Sequence, residues 1–134
     1  MATIKKFEDL AMWQKSRVLC SRIYKIIHEE KFSKDYKLKD QIKGSSGSVM
    51  DNISEGFDTN SRLEFINFLS IAKGSSGETK SQLYRALDRN YICQEEFDEL
   101  YFLVDEIGKM INGFIIYLNK SNIKGTKFKD RIPN

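Results

Sequence analysis

The stretch "DNISEGFDTNSRLEFINFLSIAKGSSGETKSQL" (residues 51–83) decides how this chain folds. Phe65, Leu69, Ala72, Ser76, Thr79, Leu83 and, just beyond, Ala86 keep one three-four phase, the spacing of a helix face. Its middle is built from small residues, Ala72, Gly74, Ser75, Ser76 and Gly77, most of them poor helix formers. Ser61 followed by Glu64 is a capping-box signature, so a helix is expected to start after 61 and run to about 91. The same composition occurs upstream in "GSSGS", 44–48. There Leu38, Ile42, Val49 and Ile53 hold phase across the insert, predicting a helix over 35–57 with Ser33 as its cap. If the two segments run antiparallel, their small centres meet and the backbones approach closely. The cost is about 1 kcal/mol of helix propensity per glycine.

The same reading extends outward. Over 8–31, Trp13, Ser16, Cys20, Ile23 and Ile27 form one line and Met12, Leu19 and Ile26 a second. Glu8 and Asp9 suit the positive end of a helix. Over 94–120, Phe97, Leu100, Val104, Ile107, Ile111, Phe114 and Leu118 make an unbroken stripe. The only proline is Pro133, so none interrupts the interior. Connections are short and no alternating run competes as a strand. The expectation is all-α: an antiparallel up-down-up-down four-helix bundle over 1–120, followed by a basic tail over 121–134.

Composition sets bounds. The 134 residues suit one domain. With 40% hydrophobic and 31% charged residues, the chain can fill a core. The net charge of +3 does not by itself imply nucleic acid. The tail "KSNIKGTKFKDRIPN", 120–134, is more strongly basic. Cys20 and Cys93 have no partner at metal spacing and read as free core thiols. No apolar run reaches the roughly 18 residues a membrane helix needs, and no apolar signal segment opens the sequence. A cytoplasmic location without a membrane partner is expected.

The polar residues admit several chemistries. "GSSGS" and "GSSGE" lack the spacing of a phosphate loop and any preceding strand. Glu55 and Glu78 could pair as acid and base, but no nucleophile or metal cluster accompanies them. A di-metal site needs inward-facing Glu-x-x-His motifs, and the single histidine, His28 in "IIHEEK", lacks one. No catalytic, cofactor-binding or metal residues are therefore assigned, and a non-enzymatic role is expected. Asn52, Glu55, Glu78 and Gln82 read better as a hydrogen-bonded network that fixes helix register. Trp13, Phe65, Phe97 and Phe114 read as core, and Tyr84, Tyr91, Tyr101 and Tyr117 as interface residues. The apolar arcs over 8–31 and 94–120 are wider than one seam needs, which predicts association of copies. Lys43, Lys73, Lys80, Arg85 and Arg89, with Lys124, Lys127, Lys129 and Arg131 in the tail, are candidate contacts for RNA or DNA phosphates. Solvation of an outer face is the plainer role for the same charges.

"FEDLAMWQKSRVLCSRIY" (7–24), "LKDQIKGSSGSVMDNISEG" (38–56), "EFINFLSIAKGSSGETKSQL" (64–83) and "NYI" (90–92) together resemble one family. It comprises the four-helix-bundle proteins encoded by intervening sequences in bacterial 23S rRNA genes, often labelled S23 ribosomal proteins. The family includes accessory variability-determinant proteins of diversity-generating retroelements. The resemblance implies a homopentameric barrel. Through the retroelement relatives it also implies a scaffold or adaptor that binds a partner protein and nucleic acid through a basic surface. Asn52, Glu55 and Gly56 match its N-I-x-E-G element, and Gly74, Ser75 and Glu78 its G-S-x-x-E element. Two departures stand out. Only Lys43 follows Gln41-Ile42 where many members carry arginines, and Ser33 replaces a common proline. The alternative to nucleic-acid contact is a module that recruits a partner protein alone.

Overall fold

The computed structural model describes residues 3–120. These form a 3-10 turn, Phe7–Asp9, and five α-helices: α1 (Ala11–Ile27), α2 (Glu30–Ser33), α3 (Tyr36–Asp58), α4 (Arg62–Asp88) and α5 (Gln94–Lys120). The protein is an all-α bundle, and the expectation of a clean four-helix bundle is corrected. The segment 8–31 is not one helix. Leu10 is extended (φ −76°, ψ 123°), so α1 starts at Ala11. Glu29 is extended again (φ −68°, ψ 153°), and the one-turn α2 follows.

Helical phase explains the second break. Ile23 and Ile27 are fully buried, and so is Phe32. Phe32 lies nine positions after Ile23, about two and a half turns, so an unbroken helix would put them on opposite faces. Breaking at His28–Glu29 turns Phe32 inward, where its ring lies 5.2 Å from that of Tyr91. The core line of α1 is accordingly Met12, Ser16, Leu19, Ile23 and Ile26. Trp13 and Cys20, both expected in the core, are only half-buried.

The four long helices form a ring in which α1 and α4 each pack against α3 and α5. Cross-helix bonds set their directions. Ser45 meets Gln82 while Ser48 meets Ser75, so α3 and α4 are antiparallel. Lys80 meets Asp105 while Lys73 meets Asn112, so α4 and α5 are too. Lys15 with Glu106 and Arg22 with Glu99 do the same for α1 and α5.

Local chemistry ends each element. Asp35, not Ser33, caps α3: its Oδ1 accepts the Leu38 N–H at 3.1 Å. Its Oδ2 accepts from Arg89 Nη1 and from the Tyr91 hydroxyl, each at 2.8 Å. One carboxylate thus ties the start of α3 to the corner after α4. The Ser61 cap is as expected, its oxygen accepting the Glu64 N–H. The corner after α4 is a Schellman turn: Tyr91 N–H bonds Ala86 O, Asn90 N–H bonds Leu87 O, and Asn90 takes φ 61°. Cys93 is exposed rather than a core thiol. Its Sγ accepts the Glu96 N–H while Glu96 Oε1 accepts the Cys93 N–H, a reciprocal cap on α5.

Segments 44–48 and 74–77 do face each other, but their glycines are not the contact. A Cβ added at Gly44, Gly47, Gly74 or Gly77 would meet nothing within 4 Å. The close approach lies at Gly56, where an added Cβ would sit 2.6 Å from Phe68 Cβ. Gly56→Ala should therefore lower stability by about 1–3 kcal/mol. Gly44→Ala and Gly74→Ala should each raise it by about 0.5–1 kcal/mol. Urea unfolding of the three variants gives the signs.

A second expected outcome concerns pH. The Leu38 N–H, then Tyr91 and Arg89, hold the Asp35 carboxyl below the usual carboxylate range. A depressed folded value gives stability that is present above the unfolded pKa and lost as pH falls through the folded one. Asp35→Asn keeps a good cap but removes the charge. The wild type should exceed this variant in melting temperature at neutral pH, and the gap should close on acidification below about pH 4.

Candidate functional site

The centre of the α3–α4 interface is polar. Ser45 Oγ donates to Gln82 Oε1 at 2.6 Å and lies 2.8 Å from Thr79 Oγ1. Thr79 Oγ1 also donates to Ser75 O. One turn along, Ser48 Oγ lies 2.8 Å from Ser75 Oγ, and Asn52 Nδ2 donates to both Ser48 Oγ and Ser48 O. Ser45, Ser75, Thr79 and Gln82 are buried. Among the described residues every fully buried side-chain nitrogen or oxygen has a partner. The small residues thus bring hydroxyl groups, not bare backbones, into register.

Two of the four expected network residues, Asn52 and Gln82, belong to this seam. Glu55 and Glu78 do not. Both are exposed, and among the described residues no side-chain hydrogen bond or ion pair joins them. The missing members were Ser45, Ser48, Ser75 and Thr79. Their signal was the apolar phase on which Ser45 and Thr79 fall.

The arrangement can fix register, but it offers no group poised for bond chemistry. Among the described residues no three His, Cys, Asp or Glu side chains gather as metal ligands. His28 is exposed, its Nδ1 2.6 Å from Tyr24 O. Cys20 Sγ donates to Ser46 O at 3.3 Å, and burial, then the charge of Asp51, pushes its thiol up.

The candidate basic contacts do not share one surface. Arg85 donates to Gln41 Oε1 on α3, and Arg89 to Asp35. Lys43 is exposed on α3. Lys73 and Lys80 turn the other way, toward α5: Lys73 Nζ donates to Asn112 Oδ1 at 2.9 Å and Lys80 Nζ to Asp105 Oδ1 at 2.7 Å. The bond to Asp105 holds the Lys80 ammonium above the usual lysine range, against partial burial. Hydrogen bonds from Lys80 and Lys109 hold Asp105 below the usual carboxylate range. Lys124, Lys127, Lys129 and Arg131 lie outside the described residues.

Thr79→Val keeps the shape of a fully buried side chain but removes the hydroxyl. It should cost about 1–2 kcal/mol, because Ser45 and the Ser75 carbonyl lose a partner. Chemical denaturation of this variant against the wild type measures that loss.

Comparison with known proteins places this architecture. The family model described as 23S rRNA-intervening sequence protein matches residues 8–113. A solved structure from Bacteroides thetaiotaomicron VPI-5482, a protein of unknown function from the S23 ribosomal protein family, is 30% identical. It covers 78% of this chain and 98% of its own, with a TM-score of 0.72. No curated protein matches. From the match over most of its helices, the chain belongs to the 23S rRNA-intervening sequence protein family.

Proposed function

We propose that the protein is a non-enzymatic cytoplasmic scaffold that self-associates as a homopentamer and holds RNA or DNA through lysine and arginine surfaces. The observation that carries the assembly is an apolar patch on the outer seam between α1 and α5. Val18 and Phe102 are 52% and 69% exposed. Val18 lies between Lys15 and Arg22 on α1, and Phe102 between Glu99 and Glu106 on α5. The ion pairs Lys15–Glu106 (3.2 Å) and Arg22–Glu99 (2.7 Å) therefore frame the two apolar side chains. A dry centre within a polar rim is the anatomy of a protein–protein contact. Ile116, exposed further along α5, and an apolar crevice lined by Leu10, Met110, Phe114 and Tyr117 extend the same side.

The count of five copies follows the resemblance described above, and so does the nucleic-acid role, which the retroelement accessory relatives suggest. Among the described residues no helix is long and apolar enough to cross a membrane, which accords with a scaffold that works in water.

Light scattering of the intact chain tests the assembly. Five copies of a 15.6 kDa chain give about 78 kDa, and Phe102→Glu should shift the mass toward one copy by placing a charge at the centre of the contact. A wild-type mass of one chain at all concentrations would contradict self-association and favour a module that recruits a different protein.

A further inference from the structure

The groove between α4 and α5 carries a ladder of groups, and its rim at Asp105 and Lys109 borders Phe102. On α4, Lys73, Gly77, Lys80 and Tyr84 follow one three-four ridge. On α5, Asn112, Gly108, Asp105 and Tyr101 run back along it. Lys73 meets Asn112, and Lys80 meets Asp105 and lies 5.0 Å over the Tyr101 ring. Tyr84 closes the row, its ring 5.7 Å from that of Tyr101. Lys109 reaches Asp105 from the open side at 3.0 Å. Gly77 leaves the middle bare, since a Cβ there would meet nothing within 4 Å, whereas a Cβ at Gly108 would lie 3.2 Å from Ser76 Oγ. The result is an open crevice of about 360 Å³.

We infer that this groove binds single-stranded polynucleotide, with a phosphate in the lysine crevice and a base stacked on Tyr84. The inference rests on the nucleic-acid half of the proposed function and gives it a site. Three ammonium groups against the one carboxylate of Asp105 leave two positive charges in the crevice. Asp105 and Tyr101 do not cancel the site but hold Lys80, only 27% exposed, in place. The Asn112 amide can turn its donor outward once Lys73 engages a phosphate. Lys80 and Tyr84 are four residues apart, about 6 Å along the helix, so a phosphate and the base next to it can be engaged together. Tyr84 is 49% exposed, with Phe97 and Tyr101 supporting its ring. A charged channel with an aromatic platform suits single strands, and its sequence preference is weak. Duplexes hide their bases from such a platform.

The test is fluorescence anisotropy of labelled oligothymidine of about 20 nucleotides with the full-length chain, over about 50–200 mM salt. The decisive variant is Gly77→Glu, which improves helix propensity while placing a carboxylate in the crevice. It should melt no lower than the wild type yet bind at least about 10-fold more weakly. Lys73→Gln with Lys109→Gln should flatten the log–log salt slope by about 1.4, and Tyr84→Ala should weaken binding about 5- to 150-fold. A fourth protein has Lys124, Lys127, Lys129 and Arg131 all changed to Gln. If only this one loses affinity while the groove variants match the wild type, the groove is overturned and the nucleic-acid reading survives. If the wild type binds no oligonucleotide at low salt, both fall. Equal affinity for duplex, or binding to phosphatidylglycerol vesicles in preference to oligothymidine, also overturns the single-strand assignment.

Discussion

The bond between Ser45 and Gln82, with Thr79 beside it, is the constraint on which the rest of the bundle depends. A hydroxyl taken out of water must find a partner or cost about 1–3 kcal/mol. Slide α4 by one residue along α3 and several such groups lose their partners at once. Apolar contact alone tolerates a range of offsets, whereas these bonds accept one. With that register set, Ser48 reaches Ser75 and Asn52 closes over them. Gly56 then arrives beneath Phe68, where no side chain fits. On its other flank α4 offers Lys73, Gly77 and Lys80 to α5 in matching order.

Much of this was written in the phase of the apolar residues. The unbroken stripe from Phe97 to Leu118 marked the extent of α5, and Ser61 with Glu64 the start of α4. Phase also held the information that composition obscured. Gly44, Gly74 and Gly77 fall off the buried rows on which Ser45 and Ser76 lie, so the glycines face outward although their segments meet. The break after α1 was harder to see, because no proline or glycine marks it. The sole clue is that Phe32 is out of phase with Ile23, and a buried phenylalanine is decisive only when its burial is known. Asp35 could not be recognised as a tie between corners, since Arg89 and Tyr91 come to it only through the tertiary fold.

The candidate sites show the same division. Asn52 was legible because it interrupts the apolar row of α3, and Gln82 was marked only by its place four residues after Glu78. Glu55 and Glu78 lie one side of their buried rows and face solvent. Charge was grouped without regard to phase: Lys73 and Lys80, seven apart, share one flank of α4, whereas Arg85 and the C-cap Arg89 fall on another. The pair turned toward α5 lines an open crevice together with Lys109. Phe102, between its framing ion pairs, lies beside Asp105 and Lys109 on α5. The patch proposed for a second copy and the groove proposed for a polynucleotide therefore adjoin on one helix, at Asp105 and Lys109.

A double-mutant cycle tests the central claim most directly. Ser45→Ala and Gln82→Leu, made singly and together, are followed by urea unfolding of the intact chain. If the hydroxyl seam sets the register, the two losses fall short of additive, with a coupling of about 0.5–3 kcal/mol. Losses that add to within about 0.3–0.5 kcal/mol would mean that the two side chains act independently, and that apolar packing alone aligns α3 with α4.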